Sequence, residues 1–146
     1  MSVQKIHFFT EDIVFRLKGK KKLREWLKGA ALNERHSITE LCFIFCSDAY
    51  LLEINRSYLD HDTLTDIITF DNSTLPGSLA GDIYISVERI RENAEKFSVS
   101  ENEELLRVMI HGLLHLCGYK DKEKGQKALM REKEDIYIGI YKTQAI

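Results

Sequence analysis

Residues 100–121 of the chain are SENEELLRVMIHGLLHLCGYKD. Ser100, followed three residues later by Glu103, forms a capping-box pattern, so the stretch predicts a helix that begins directly after Ser100 and continues to about Cys117. After its first turn this helix is strongly apolar, which is typical of a helix buried in a protein core. Gly118 suits the left-handed conformation that ends a helix and turns the chain back on itself.

Two histidines lie in this helix four residues apart, and this spacing places their rings on one face, one turn from each other. His111 and His115 can therefore bind one transition-metal ion, provided that a third ligand comes from outside the helix. Asp121, three residues past Gly118, can supply a carboxylate oxygen. Three protein ligands leave one coordination position open, as in catalytic zinc sites.

A second interpretation of the pair stays open, because two histidines at this spacing also occur by chance as hydrogen-bonded core residues. Imidazoles among buried leucines need partners or a metal, since unsatisfied buried polar groups are costly. The same spacing argues against a protease of the His-Glu-x-x-His type, whose Glu after the first His is the general base. Gly112 occupies that position here and cannot accept a proton.

The rest of the chain predicts strands early and helices late, which indicates an α+β domain. No repeat or linker-like segment divides it, so we expect one domain over residues 1–146. Residues 71–79 contain Asn, Ser, Pro and Gly and are predicted to form a loop. The predicted strands are 3–9, 38–46, 65–70 and 81–86, and the predicted helices are 17–32, 49–58, 88–97, 101–117 and 121–141.

Composition limits the classes of function. The chain has 146 residues, of which 44% are hydrophobic and 30% charged, as in an ordinary globular protein. Its 21 Lys and Arg against 23 Asp and Glu give a net charge of −2, so any nucleic acid must be held by a local patch rather than by the whole molecule. No apolar run approaches the roughly 18–20 residues that cross a bilayer, and we expect no membrane contact.

Three cysteines, an odd number, form no paired framework and indicate a reduced protein inside the cell, in the cytoplasm. We expect Cys42, Cys46 and Cys117 to pack as small apolar residues. The lysine-rich stretch 18–24 is a candidate phosphate-binding patch. A solvated helix surface explains the same residues without any function, and this is the favoured interpretation. His61, between two aspartates, is predicted to lie in a solvated loop.

The motif over residues 111–121 resembles that of the bacterial YbeY-type family of endoribonucleases, the rRNA maturation factors. Residues 53–58 with 65–70 are similar to a helix and the following strand of the family, and residues 81–86 are similar to its next strand. The resemblance covers about residues 40–141. It implies a single α+β domain with a four-stranded mixed sheet, surrounding helices and a zincin-like metal-binding helix.

The resemblance also implies a function, a metal-dependent single-strand endoribonuclease in rRNA processing and ribosome quality control. The partners would be RNA (an rRNA precursor) and the small ribosomal subunit, with no membrane and no DNA. The metal ligands would be His111, His115 and Asp121, and they would hold one divalent ion, zinc.

Two positions depart from the family pattern. Asp121 stands where the family usually has a third His, and a carboxylate favours metals that prefer oxygen ligands. Leu59 stands where the family usually has an Arg, so Arg56, or Lys120 and Lys122, would have to contact the phosphate instead.

The expected chemistry is phosphodiester cleavage by a metal-activated water. The sequence assigns no general base, and attack by the ribose 2′-hydroxyl stays open. One alternative is a non-catalytic ribosome-assembly binding module with a structural metal, and another is a metal-dependent hydrolase of a different ester or amide.

Overall fold

The structure, a computed structural model, describes residues 5–59 and 65–144. Its strands are β1 (Ile6–Glu11), β2 (Ser37–Cys46), β3 (Ile67–Asp71) and β4 (Ser78–Ser86). Its helices are α1 (Lys20–Asn33), α2 (Asp48–Leu59), α3 (Val87–Lys96), α4 (Glu101–Leu116) and α5 (Lys124–Thr143). In this part of the chain, no helix is both long and apolar enough to cross a membrane.

The four strands form one mixed sheet in the order β1-β2-β4-β3. β2 pairs in parallel with both β1 and β4, whereas β3 runs antiparallel to β4. Parallel neighbours cannot be joined by a tight turn, so α1 forms the crossover between β1 and β2, while a short connection joins β3 to β4. The predicted α+β fold with a four-stranded mixed sheet is confirmed.

Helix α4 packs against one face of the sheet and forms the centre of the core. The helix contributes Leu106, Met109, Ile110, Leu113 and Leu114, and the strands contribute Leu41, Phe43, Phe45, Ile83 and Ile85, all of them buried. Each such side chain stabilises the fold by about 1.5–3 kcal/mol when it leaves water. On the opposite face, α2 covers a smaller cluster made of Cys46, Leu51, Ile54 and Ile68.

Gly112 is the point of closest approach between α4 and the sheet. A Cβ atom at this position would lie 3.0 Å from side-chain atoms of Ile67 on β3 and of Ile83 on β4. Ile83 is fully buried, so it has little room to move. The position at which His-Glu-x-x-His proteases carry their general base therefore has no space for a glutamate in this chain.

The two ends of α4 follow the predicted capping signals. At the start, the Ser100 hydroxyl accepts a hydrogen bond from the backbone N–H of Glu103, at 3.0 Å. At the end, Gly118 adopts a positive φ of 107°. The N–H of Gly118 bonds to the carbonyl of His115 and the N–H of Tyr119 to that of Leu114, each at 3.0 Å, which is the Schellman pattern.

Several boundaries differ from the predicted ones. The predicted loop 71–79 is shorter, because β3 continues to Asp71 and β4 begins at Ser78, with the N–H of Asn72 bonded to the carbonyl of Ala80 at 2.8 Å. α1 begins at Lys20 rather than residue 17, because Gly19 before it is left-handed, at φ 70°. α5 begins at Lys124, after a capping box formed by Glu123 and Gln126. Val3 and His61 lie outside the described residues.

The close approach at Gly112 predicts opposite effects for two Gly→Ala substitutions in helices. Gly112→Ala should lower the free energy of unfolding by about 1–2 kcal/mol, because the crowding of a packed core outweighs the better helix propensity of Ala. Gly139→Ala in α5 is the control: a Cβ there meets nothing within 4 Å, so stability should rise by about 0.5–1 kcal/mol. Urea unfolding of both variants measures this, and a Gly112→Ala protein as stable as the Gly139→Ala protein would contradict the packing account.

Candidate metal centre

The structure brings together the three side chains that the sequence predicts as metal ligands. The rings of His111 and His115 lie 4.6 Å apart between centroids, at an interplanar angle of 80°. The turn after α4 returns Asp121 to them, so that its Oδ2 atom lies 3.1 Å from Nε2 of His111 and 3.3 Å from Nε2 of His115. The His111 and His115 side chains are 21% and 27% exposed, so the pair is not sealed in the core.

The Nδ1 nitrogen of each ring forms a hydrogen bond within the protein. His115 Nδ1 lies 2.9 Å from the backbone carbonyl of Tyr119, and His111 Nδ1 lies 2.6 Å from Oε2 of Glu134. A carbonyl or carboxylate oxygen can only accept, so Nδ1 donates in both rings, and in the neutral form of each ring the Nε2 lone pair faces Asp121. Metal-binding histidines in proteins are held in this way, with the non-ligating nitrogen donating to a carboxylate or a backbone carbonyl.

This donor set fits a metal ion. Three atoms that carry lone pairs, two imidazole nitrogens and one carboxylate oxygen, lie within 4.8 Å of one another. Such atoms repel unless a cation lies between them. Ligands bound at about 2.0–2.1 Å around a tetrahedral ion are about 3.3 Å apart, which is close to the two observed N···O separations. In the alternative of two histidines held only by hydrogen bonds, each Nε2 atom would have to carry a proton to bond Asp121, whereas a metal ion satisfies both Nε2 atoms with neutral rings.

Glu134, on α5, connects His111 to a buried ion pair. Glu134 is 4% exposed. Its Oε1 atom accepts a hydrogen bond from Arg107 at 3.0 Å, and its Oε2 atom accepts one from His111. Burial lowers the pKa of His111, but the hydrogen bond and charge of Glu134 and the charge of Asp121 outweigh it and raise the pKa. Sequence analysis missed Glu134, although one signal was available: it lies four residues from both Met130 and Ile138, on the apolar face of α5.

A second network holds the carbonyl that orients His115. The Tyr119 hydroxyl donates to Oε1 of Glu34 at 2.6 Å, and Oε2 of Glu34 accepts from the Tyr137 hydroxyl and, at 3.4 Å, from Lys133. Burial opposes ionisation of Glu34, but these hydrogen bonds outweigh it, so its pKa lies below the ordinary value. The network ties the end of α1 and the middle of α5 to the turn that carries the metal ligands.

Two of the three candidate ligands, His111 and Asp121, line a cleft of about 530 Å³. Carboxyl groups outnumber cations in its lining: the acidic residues are Asp66, Glu103, Glu104, Asp121 and Glu134, and the basic ones are Arg107, Lys127 and Arg131. Burial raises the pKa of both Asp66 and Glu104, which favours their protonated forms. An excess of carboxyl groups attracts a cation, so the charge of the cleft favours a metal as its geometry does.

The residues predicted to contact nucleic acid lie outside this lining. Arg56 is exposed in the last turn of α2, and Lys120 and Lys122 are exposed on either side of Asp121. Among the described residues, two basic side chains of α5 that were not predicted, Lys127 and Arg131, line the cleft. Sequence analysis missed both, because their position depends on how α5 packs against α4.

The cysteines are free and have the packing role that the sequence predicts. Cys46 is fully buried, and Cys42 and Cys117 are half-buried. Burial raises the pKa of Cys46 and of Cys117 to about 12, so both remain protonated thiols. A protonated thiol is a poor metal ligand, so Cys117, although close to His115 in sequence, does not extend the metal centre.

Comparison with known proteins places this chain in one family. A family model described as Endoribonuclease YbeY matches residues 5–142. The chain belongs to the Endoribonuclease YbeY family. Proteins named Endoribonuclease YbeY from Flavobacterium psychrophilum and Cytophaga hutchinsonii are 54% and 49% identical to it; the alignments cover 91% and 97% of this chain, and 94% and 99% of those proteins.

A solved structure of similar fold is the solution structure of TM1509 from Thermotoga maritima. It is 30% identical, with a TM-score of 0.65, and the match covers 93% of this chain and 88% of that one. The family membership that the motif over residues 111–121 indicates is thus confirmed over nearly the whole chain.

The contact between Glu134 and His111 predicts that this carboxylate raises the affinity of the centre for a divalent ion. Glu134→Gln should weaken zinc binding roughly 10- to 100-fold, because the charged acceptor that holds His111 Nδ1–H is lost. Titration calorimetry gives the affinity, and ring ¹⁵N shifts report the tautomer of His111. Glu103→Gln, which removes a carboxylate that lines the same cleft but is paired with Lys142 rather than with either ring, is the matched control. Equal losses in the two variants would contradict an orienting role.

The Glu34 network predicts a pH-dependent contribution to stability. Because the folded pKa of Glu34 lies below its ordinary value of 4.5, its stabilisation is complete above that pH and is lost as the pH falls through the lowered folded value. Glu34→Gln should cost about 1–3 kcal/mol at neutral pH, and the difference from wild type should shrink under acid. Glu25→Gln, an exposed residue of α1, is the control. A difference that stays constant between neutral and acid pH would exclude this role.

Proposed function

We propose that this chain is a metal-dependent endoribonuclease that cleaves single-stranded RNA, with His111, His115 and Asp121 as the ligands of one divalent ion, zinc. The observation that carries the proposal is the convergence of two Nε2 atoms and one carboxylate oxygen at an open cleft, in a chain whose relatives are named endoribonucleases. A bare fold match would support no activity, because one fold hosts many functions.

In this proposal, the bound ion supplies a Lewis acid that offsets phosphodiester charge and activates the attacking oxygen. The protein holds the centre in place: Glu134 and the Tyr119 carbonyl keep both rings in the tautomer with a free Nε2. Asp66 and Glu104 line the same cleft, and burial raises the pKa of both, which favours the protonated form that can donate a proton.

Asp121 gives this centre a different charge from the three-histidine pattern that the family resemblance implies. Two neutral imidazoles and one carboxylate leave a divalent ion with a net charge of one, whereas three imidazoles leave two. The ion is therefore a weaker Lewis acid, and ions that favour oxygen ligands compete better with zinc. Asp121→His should shift metal preference further toward zinc.

The biological setting that we propose is the one implied by family membership. The substrate is an rRNA precursor, the partner is the small ribosomal subunit, and the location is the cytoplasm. The functional unit is a single domain over residues 1–146. Arg56, Lys120 and Lys122 are proposed as outer phosphate contacts, since Lys120 and Lys122 flank a metal ligand and all three are exposed.

A second candidate function is a ribosome-binding module whose metal is structural. The observation that favours it is the composition of the cleft, in which five carboxyl groups face three cations, an unfavourable surface for a polyanion. The two candidates differ in what removal of one metal ligand does to RNA cleavage and to folding.

His115→Ala separates them. For an endoribonuclease, cleavage of single-stranded RNA should fall at least 100-fold while the circular dichroism spectrum of the folded protein is retained. His7→Ala, which changes a histidine on the edge strand β1, is the control and should cleave like wild type. Unfolding of the His115→Ala protein would favour the structural metal instead. Wild-type protein that cleaves no RNA with any of several divalent ions would contradict the proposal.

The product ends identify the attacking group. A 2′,3′-cyclic phosphate indicates attack by the ribose 2′-hydroxyl, whereas a linear phosphate formed directly indicates attack by water. We expect the linear product, as the water route needs only the open coordination position of the centre. Mass spectrometry of the fragments at early reaction times makes the distinction.

A further inference from the structure

Two cations on α5 face the cleft that holds the metal centre. Lys127 and Arg131 are four residues apart on α5, so they lie on one side of the helix, one turn from each other. Both line the cleft together with His111 and Asp121, and both side chains are exposed to solvent. An anion bound at the metal centre would therefore meet these two side chains within the same cleft.

Neither cation is engaged elsewhere in the described part of the chain: no ion pair or hydrogen bond involves the side chain of Lys127 or of Arg131 there. Arg107, the third cation of the cleft, differs in this respect. Its guanidinium donates to Glu134 at 3.0 Å and to Asp135 at 2.8 Å. Arg107 is thus committed to holding Glu134, whereas Lys127 and Arg131 are available for a ligand.

We propose that Lys127 and Arg131 form a phosphate-binding subsite that holds the backbone of single-stranded RNA beside the metal centre. The inference rests on the proposed function for the identity of its ligand. Leu59 stands where the family resemblance implies an arginine, so this chain lacks that guanidinium and needs another source of positive charge. Arg131 can bind phosphate through two parallel hydrogen bonds, and Lys127 adds a compact charge.

The subsite also addresses the acidic character of the cleft. Three carboxyl groups of the cleft carry little free negative charge. Burial raises the pKa of Asp66 and of Glu104, which favours their neutral forms, and Glu134 forms an ion pair with Arg107. Lys127 and Arg131 are exposed on the surface of α5, whereas Glu104 and Glu134 are buried. A phosphate that approaches from solvent can therefore contact the two cations without reaching these buried carboxyl groups.

The test compares two double variants with the same change in charge. Lys127→Ala/Arg131→Ala removes the subsite, and Lys5→Ala/Lys28→Ala removes two cations that lie outside both the cleft lining and the lysine-rich stretch 18–24. The probe is a short, fluorescently labelled single strand of 2′-O-methyl ribonucleotides, and its binding to zinc-loaded protein is followed by anisotropy over a range of salt concentrations.

Loss of the subsite should weaken binding roughly 5- to 30-fold at moderate salt. It should also reduce the slope of log K against log salt by about 1.4, or about 0.7 for each phosphate contact. The control should bind like wild type. Lys127→Arg/Arg131→Lys, which keeps both charges, should restore most of the affinity, and thermal unfolding verifies that each variant is folded.

Equal weakening in the two double variants, an unchanged salt slope, or wild-type protein that does not bind the probe would each overturn the proposal. Failure of the proposed function has a different signature. If the zinc-loaded protein cleaves no RNA but binds the probe in a manner that depends on Lys127 and Arg131, the subsite stands and the nuclease assignment falls. If the protein cleaves RNA and the cleft variant binds like wild type, only the subsite falls.

Discussion

Repulsion among three lone pairs is the constraint on which the rest of this structure depends. Nε2 of His111, Nε2 of His115 and Oδ2 of Asp121 face one another at hydrogen-bond distances, and in neutral rings, whose one proton lies on Nδ1, both Nε2 atoms present lone pairs to the carboxylate. A cation between them converts the repulsion into attraction. The contacts around the centre hold these three atoms in place for such a cation.

The contacts that hold the ligands come from several elements that pack against α4. The apolar face of the helix packs on the sheet, and Gly112 permits the close approach. The Schellman turn at Gly118 brings Asp121 back toward the rings. Glu134 and Glu34 then connect the centre to α5 and α1 through short hydrogen bonds. Orientation of the ligands by a surrounding layer of acceptors raises metal affinity, so the stability of the fold and the chemistry of the site are coupled.

Local signals made much of this predictable from the sequence. The caps of α4, the four-residue spacing of its histidines and the glycine stop all lie within residues 100–121, and each acts over one or two helical turns. Glu134, Lys127 and Arg131 could not be placed in this way, because their roles depend on how α5 packs against α4. The β3–β4 connection was predicted too long for a related reason: antiparallel pairing with β4 recruits Asp71, and parallel pairing with Ser37 of β2 recruits Ser78, although both residue types prefer turns.

The most direct test of the central claim is anomalous X-ray diffraction from crystals of zinc-loaded protein, measured on both sides of the zinc absorption edge. The account predicts one strong zinc peak per chain, in contact with Nε2 of His111, Nε2 of His115 and a carboxylate oxygen of Asp121. A zinc peak bound elsewhere, or no peak with the two rings turned away from Asp121, would contradict it.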